Sequence, residues 1–547
     1  MKDTVRKSPR THVLLELRPA FDGFAGIPQE TRLLFRGLRM LESCEVAGLL
    51  QMSGRILAKG VREQGLLPES LWLSESQKIN RYSRIAISAA ERPYVTFFEA
   101  LMEALERRLN SAALTLQTLL SLNSVKLSSF RTTHFEDFIW RTLFAKSLPA
   151  SDFELVTRAK QFICSTPWQS MHMAGLRTLT FGRTAKYPRL QTPGTDIFIT
   201  QTPYPARVSR GTSMVVRYHD AVPVFMPHTI GDVSLHQASH FHALAANVKA
   251  GARFACVSGA TRNDLLRLFP AAESQAVVIH NMVSHHYFGE NSSPELVPGI
   301  IRTRLLEADP EKGVDVRPKF LTLREQESFY SRNLQKKPFR YLLCVATIEP
   351  RKNHARLLAA WEVIKAETDP DLKLVVVGSL GWNYLKTVQG FRPWIDRGEL
   401  FMLSAVPAPD LRVLYRHAAA TVCPSVGEGF DFSGVESMRS GGVVIASGIA
   451  AHREVYADGA AYFDTYSTVD LVAALKKVLY ADDAARVQQV LRHRGDEVSA
   501  RYLPAQVLPQ WDVFLSSVVA KRQTAILQPV GATARFQTET ADAAEET

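Results

Sequence analysis

Two glutamates, Glu428 and Glu436, stand eight positions apart in "PSVGEGFDFSGVESMRSGG" (424–442), a stretch that also holds Gly427, Gly429, Gly434, Gly441 and Gly442. Acids set among glycines suit a place where the backbone comes close to a ligand, because glycine leaves room for the approach. A helix starting near Ser433 would turn free amides, and the positive end of its dipole, toward an anion. A structural reading stands beside this one. Ser433 and Glu436 have the spacing of a capping box, and Glu428 reads as a solvated loop acid. Two more polar clusters fall where strand-like runs end. "YHDAVP" places His219 and Asp220 after one run, and "TIEPRKN" places Glu349, Arg351, Lys352 and Asn353 after another. Ligands of open α/β sheets sit beyond the carboxyl ends of the strands. Three such clusters spread over two halves of a chain imply a cleft between the halves. With Arg351 and Lys352 beside a helix amino end, that cleft suits a diphosphate held without metal.

The elements that would position these residues are apolar runs alternating with helical periodicity, the pattern of parallel sheets covered by helices. The first half carries "HVLLEL" (12–17), "VAGLLQ" (46–51), "DIFIT" (196–200), "SMVVRYHD" (213–220), "RFACVS" (253–258) and "VVIHN" (277–281). The second carries "YLLCVAT" (341–347), "LKLVVVG" (372–378), "LFMLS" (400–404), "ATVCPS" (420–425), "GVVIAS" (442–447) and "AAYFD" (460–464). Two doubly wound domains in tandem are expected, 11–335 and 336–503. The interval 53–195 interrupts the first. It reads as a helical insertion, with Phe98, Leu101, Leu105 and Leu109 on one face. The stretch 290–338 reads as the connection between halves, 504–522 as a closing helix that returns to the first domain, and 523–547 as a polar, disordered tail.

Composition narrows the field. The 547 residues are 46% hydrophobic and 22% charged, as in ordinary globular proteins. No apolar run reaches the length of about eighteen residues that a membrane-spanning helix needs, and the basic N-terminus lacks the apolar stretch of a secretory signal. Five scattered cysteines without CxxC spacing fit a reducing cytoplasm. The net charge of +11 favours polyanionic partners: phosphorylated small molecules, anionic lipid headgroups or nucleic acid. No Lys/Arg tract interleaved with aromatics appears, so nucleic acid is not an expected partner. His236, His240 and His242 have a spacing at which helical histidines can hold metal, but "HQASH" lacks the glutamate of a zinc-protease motif, and helix packing is expected instead. "DPD" (369–371) precedes a strand and reads as a turn. Gly378 and Gly381, after a strand, are placed for a nucleotide contact. Neither a dinucleotide fingerprint nor a Walker sequence is present.

The run "EGFDFSGVESMRSGGVVIASGIAAHREVY" resembles the signature of glycosyltransferase family 4, retaining enzymes of GT-B fold. "ATIEPRKNHARLLAAW" is similar to that family's phosphate-binding segment. "RFACVSGATRNDLLRLFP" with "VVIHNMV" resembles the end of its N-terminal domain, and "LLELRPAFDGFAGIPQETRLLFRGL" the beginning. "YHDAVPVFMPHTI" together with "EPRKN" looks like the mannosyltransferases of bacterial surface-polysaccharide assembly. The resemblance covers both halves but neither the interruption at 53–195 nor the final tail. It implies two Rossmann-like domains around a cleft. It also implies transfer of a hexose, mannose from GDP-mannose, to a lipid-linked or oligosaccharide acceptor, with no cofactor and no metal. Glu428 would hold hydroxyls of the donor sugar, helped by the amides of Gly429 and Phe430, and Glu436 the ribose. Arg351 and Lys352 would neutralise the departing diphosphate, Gly26 and Ile27 would form a loop under the phosphates, and His219 with Asp220 would lie near the transferred sugar. Asp431, Phe432 and Ser433 depart from the family pattern, and the extra carboxylate of Asp431 bears on donor identity. The expected setting is cytoplasmic, with peripheral contact to the inner face of an anionic membrane. The rival expectations are another GT-B enzyme, an epimerase or a glycan phosphorylase, and a non-catalytic sugar-binding scaffold.

Overall fold

Strands buried on both faces of a parallel sheet are apolar along their whole length, and the twelve runs read from the sequence all form strands, with ends moved by up to three residues. The computed structural model describes residues 10–527, apart from 25, 64–66, 91–93, 95, 121–123, 306–315, 317, 319 and 335–338. In chain order the first eleven strands are β1 (Thr11–Glu16), β2 (Cys44–Leu50), β3 (Ser124–Val125), β4 (Ser128–Phe130), β5 (Gln161–Ile163), β6 (Arg189–Leu190), β7 (Ile197–Thr200), β8 (Arg207–Val208), β9 (Ser213–Tyr218), β10 (Arg253–Cys256) and β11 (Ala276–Val278). Eight of them form one sheet in the order β11-β10-β9-β7-β1-β2-β5-β4, parallel except for the β4–β5 pair. Six more make the second lobe: β12 (Tyr341–Val345), β13 (Lys373–Val377), β14 (Leu400–Leu403), β15 (Ala420–Cys423), β16 (Val444–Ser447) and β17 (Ala460–Phe463). Their order is β14-β13-β12-β15-β16-β17, all parallel. This is the doubly wound order whose direction reverses between β12 and β15, the place where such sheets open a crevice. The chain has the GT-B architecture of two Rossmann-like lobes.

The interval 53–195 differs from the helical insertion expected there. It contains helices, including Glu75–Ala89 and Phe97–Leu119, but it also lends β5 and β4 to the edge of the first sheet. Its β3 and β6 join β8 in a small sheet of three strands. The strands β4 and β5 are three residues each, too short for alternation to register in the sequence.

Between the lobes, the helix Leu296–Thr303 packs on the helix Ala408–His417 of the second lobe, and Arg304 pairs with Asp410 at 2.9 Å. The connection is therefore partly absorbed into that lobe. The closing helix runs from Pro504 to Leu527, five residues into the stretch expected as tail, and lies against the helix Ile27–Arg39 and strands β7 and β9. Its Trp511 is fully buried, with the Arg217 guanidinium 5.3 Å from the ring centroid. Residues 528–547 lie outside the described residues. All five cysteines are free and buried, and no described helix is long and apolar enough to cross a membrane.

Candidate active site

Strand β12 ends in a loop whose Glu349 is buried, followed by a single turn of 3-10 helix, Pro350–Lys352. The turn is closed by Asn353 in the left-handed region at φ 55°, which asparagine visits more readily than most residues. The Asn353 side-chain amide donates to the Pro424 carbonyl at 3.1 Å and the Val426 backbone amide to the Arg351 carbonyl at 2.9 Å, so the loops after β12 and β15 are stitched together. This brings Arg351 and Lys352 onto Glu428. Arg351 donates to Glu428 Oε2 and Lys352 to Oε1, both at 2.6 Å. Arg351 also bonds the Gly427 carbonyl at 2.8 Å and Glu349 at 2.8 Å.

Burial would raise the Glu428 carboxyl, but the charges of Arg351 and Lys352 outweigh it and hold the group below its usual range. Burial alone would lower both cations. The carboxylates around them, Glu428 first, reverse that and raise Arg351 and Lys352. Asp220 is among the acids acting on Arg351. Glu349 is pushed up by burial, with the same two cations opposing. Glu428 is thus a fixed anion at the switch point between β12 and β15, and the reading of it as a solvated loop acid is not met.

The helix after β15 is Phe432–Arg439, and its cap is Asp431, not Ser433. Asp431 sits at φ 65° and accepts from the Ser433 amide at 3.2 Å and the Ser433 hydroxyl at 2.7 Å. Its second oxygen lies 3.1 Å from His452 Nε2, and the His452 ring is fully buried. Burial would raise this carboxyl, yet Lys352, His452 and Ser433 hold it far below its usual range. The bare helix end expected to face an anion is therefore occupied by the chain's own carboxylate. The capping box is absent as well, because Glu436 points elsewhere. It accepts from Gln29 at 2.7 Å and from the Tyr415 hydroxyl at 3.2 Å. Burial raises Glu436 to about 7, against the opposing hydrogen bonds of Gln29, Tyr415 and Tyr287.

Gln29 belongs to the first lobe. Gly26, at φ 70°, caps the helix Ile27–Arg39, and Gln29 lies in that helix's first turn, so the Gly26–Ile27 segment and Glu436 share one crevice. The helix is anchored from beneath by Glu30, which pairs with Arg217 of β9 at 3.0 Å. Arg217 also donates to Asn281 at 2.7 Å and to the Ile279 carbonyl at 2.5 Å. His219 and Asp220 follow β9 directly. The His219 ring lies 3.3 Å from Gln201 Oε1, and burial, then the charge of Arg217, lowers its pKa well below the ordinary value. Asp220 caps the next turn by accepting from the Val222 amide at 3.0 Å. The lobes meet here. A side chain on Gly429 would collide with the His219 carbonyl, and one on Gly427 would come within 2.6 Å of Met226 Sδ. The Thr261 hydroxyl lies 3.3 Å from the His219 carbonyl and 3.4 Å from that of Gly429.

Two further contacts join the lobes. Glu454 accepts from the amides of Gly259 and Ala260 at 2.6 and 2.9 Å, at the amino end of the helix Gly259–Leu268, and its Oε1 lies 3.0 Å from His280. Trp382, in the loop after β13, donates to the Thr229 carbonyl at 2.7 Å. Of the residues anticipated from the sequence, Arg351 and Lys352 bond Glu428, Asp431 bonds Ser433, Gly429 abuts the His219 carbonyl, and Glu436 reaches Gln29, two residues after Ile27; Phe430 stands apart. Its side chain is buried against Phe432, Tyr502 and His280, leaving only its backbone for a ligand. Gln29, His452, Gln201 and Glu454 were not anticipated; the nearest signal was Gln29's place two residues after Ile27. Among the described residues, no group of three or more His, Cys, Asp or Glu could hold a metal ion.

A family model described as "Glycosyl transferases group 1" matches residues 325–490. The chain is 33% identical over 146 residues to the O-antigen chain mannosyltransferase B of Escherichia coli, covering 27% of this chain and 38% of that one. It is 28% identical over 144 residues to the serotype-specific mannosyltransferase WbdA of the same organism, covering 26% and 18%. The matched stretch thus spans well under half the length of these relatives. Over 94% of its residues the chain superposes on all of the sucrose-phosphate synthase of Thermosynechococcus elongatus, with a TM-score of 0.53 at 13% identity. The chain has the GT-B fold, and its second lobe, which carries Arg351, Lys352, Glu428 and Glu436, is related to the group 1 glycosyl transferases.

Proposed function

We propose that the protein is a retaining glycosyltransferase that moves a hexose, mannose from GDP-mannose, onto a lipid-linked or oligosaccharide acceptor in the assembly of a cell-surface polysaccharide or lipopolysaccharide. One observation carries the reading: Arg351 and Lys352 converge on Glu428 where the second sheet reverses direction. Breaking a glycosyl–phosphate bond builds negative charge on the leaving diphosphate, and fixed cations in a water-poor cleft stabilise it without reorganisation. Arg351 and Lys352 are those cations. Glu428, kept ionised by them, accepts hydrogen bonds from the sugar hydroxyls, and Glu436, beside Gln29, takes the ribose. His219 and Asp220 face the sugar from the first lobe. Retention follows if an oxygen of the departing phosphate takes the acceptor's proton on the face it leaves. The mannose assignment is supported by the relatives, which are mannosyltransferases, and by the "EPRKN" segment that resembles theirs, and the GDP assignment rests on that resemblance. The protein works at the inner face of the membrane, where a lipid-linked acceptor is presented.

Purified protein incubated with GDP-mannose, UDP-glucose and UDP-N-acetylglucosamine, with and without a lipid-linked acceptor, tests this reading by release of nucleoside diphosphate. Acceptor-dependent release from GDP-mannose is expected, and release from none of the donors would overturn it.

Asp431 favours a second reading. Its carboxylate lies at the helix end that a phosphate would use, and Glu349, Glu428 and Asp431 outnumber the two cations near them. A non-catalytic sugar-binding scaffold would look like this, and it binds sugar nucleotide without turnover.

A further inference from the structure

The helix Phe97–Leu119 is held along one side only. Ser111, Leu114 and Thr118 are buried there, and the helix packs on the helix Trp168–Arg177. Two of its charged residues are bonded to the chain's own fold: Glu103 accepts from the Ile56 amide at 3.2 Å, and Arg107 donates to the Gly54 carbonyl at 2.8 Å. The other side is apolar and faces outward. Phe98, Met102, Leu105, Leu109, Ala112, Leu116 and Leu119 follow one another at steps of four and three in strict alternation. Of these, Phe98, Met102, Leu105, Leu109 and Leu116 are between 48% and 67% exposed. A helix that covers its own core carries a broader stripe of period 3.6, whereas a strict alternation of four and three is the 3.5-residue period of a seam between two helices. Here the seam lies on the side away from the core, and from 98 to 119 it runs for three heptads.

The residues at the edges of the seam decide what covers it. Glu99 and Glu106 flank it on one edge and Arg108 on the other. A helix lying in a lipid surface has a polar face rich in Lys and Arg, which the acids on one edge oppose. A second copy of the same helix fits better. In an antiparallel pair each edge meets the same edge of its partner, so the register has to keep Glu106 from Glu106 and Arg108 from Arg108. Setting Leu109 of one copy opposite Ala112 of the other does this. Leu105 then lies opposite Leu116 and Met102 opposite Leu119, while Glu106 meets Ala113 and Arg108 meets Thr115. Large residues face small at the centre, as close packing asks. A parallel pair would instead set Ala112 against Ala112 and leave a gap. Phe97, Leu101 and Leu120 widen the apolar surface beside the seam and are 83%, 52% and 57% exposed. The whole face amounts to on the order of 700 Å² per copy, close to the roughly 800 Å² that each partner buries in an interface of standard size.

We propose that two copies of the chain pair through this seam, their Phe97–Leu119 helices antiparallel about a two-fold axis near Asn110 and Ser111. The pairing needs neither donor nor acceptor and stands whether or not the chain transfers sugar.

Analytical ultracentrifugation of the full chain tests this. The protomer of 61.0 kDa should sediment as a species of twice that mass. The double variant Leu105→Ser/Leu109→Ser, altered only at exposed positions, should associate at least about a hundredfold more weakly with unchanged circular dichroism. Crosslinking reads the direction of the pair, because the five native cysteines are buried. A mixture of Leu105→Cys and Leu116→Cys proteins should form a mixed disulfide on mild oxidation, since the two positions face each other. Met102→Cys alone should not link to itself, its counterpart lying about 25 Å away along the helices. A wild-type chain that stays monomeric at its highest soluble concentration, or a dimer that the folded double variant leaves intact, overturns the proposal. So does self-linking of Met102→Cys, which would make the pair parallel. So, too, does a monomer that sediments with phosphatidylcholine–phosphatidylglycerol vesicles, which would assign the face to lipid. A dimer without sugar transfer would count against the transferase reading and leave the pairing standing.

Discussion

Asp431 offers one carboxylate oxygen to the Ser433 amide and the other to the His452 ring 3.1 Å away, so the Phe432–Arg439 helix is neutralised at its amino end by a residue of its own loop. That arrangement separates this site from a bare anion-binding helix end, and it is open to direct test.

Asp431→Gly removes the carboxylate at a backbone position, φ 65°, that glycine adopts without strain. With the competing charge gone, GDP should bind about tenfold tighter in a calorimetric titration. The lost cap and the lost hydrogen bond to His452 should lower stability to urea by about 1–3 kcal/mol. Unchanged affinity would place the phosphates away from this helix.

Glu428→Gln keeps the shape of the side chain and removes the charge that Arg351 and Lys352 share. Turnover should fall about a hundredfold or more. Stability should also fall, by about 3 kcal/mol, since two half-buried cations lose a partner. A folded variant with wild-type release of nucleoside diphosphate would remove Glu428 from the chemistry.

Glu436 gives a pH signature. Its folded pKa is raised to about 7 from an ordinary carboxyl value. Between those two values the folded state holds the proton more tightly than the unfolded chain, so this group's contribution to stability is full at low pH and is lost as pH rises through 7. Glu436→Gln should therefore be more stable than wild type at pH 8, by up to about 3 kcal/mol, with the gap closing toward pH 4. Urea unfolding at the two pH values measures it. If Glu436 holds the ribose, the same variant binds nucleotide more weakly.

Glu454→Gln loses the charge that caps the helix Gly259–Leu268 across the lobe boundary. Amide exchange at Gly259 and Ala260 should accelerate about tenfold, corresponding to about 1–2 kcal/mol, with exchange inside each sheet unaltered. Equal acceleration throughout would mean that Glu454 supports the whole fold and not the junction.

The legible parts of the molecule were those whose signal is local. The main strands of both sheets announce themselves because a parallel strand covered on two faces must be continuously apolar, as "YLLCV" and "KLVVV" are. Arg351, Lys352 and Glu428 could be grouped because each follows such a strand, although neither cluster announces that it bonds the other. What remained hidden depends on partners far apart in the chain. Gln29 and Glu436 are separated by 407 residues, and Glu454 and Gly259 by 195. No periodicity connects such positions. The cap at Asp431 escaped for another reason: "SGVE" satisfies the spacing of a capping box, but the left-handed backbone at Asp431 starts the helix earlier and turns Glu436 toward Gln29.

The Trp382 indole and the Glu454 carboxylate act as two latches between the lobes. Parting them breaks four hydrogen bonds, to Gly259, Ala260, His280 and Thr229, and at roughly 1 kcal/mol apiece the ajar form is a minority of well under a tenth at rest. Any molecule that must enter through the gap meets a gate that is mostly shut, and its apparent affinity is reduced by that fraction. Cutting either latch should speed entry of a ligand and weaken the grip afterwards.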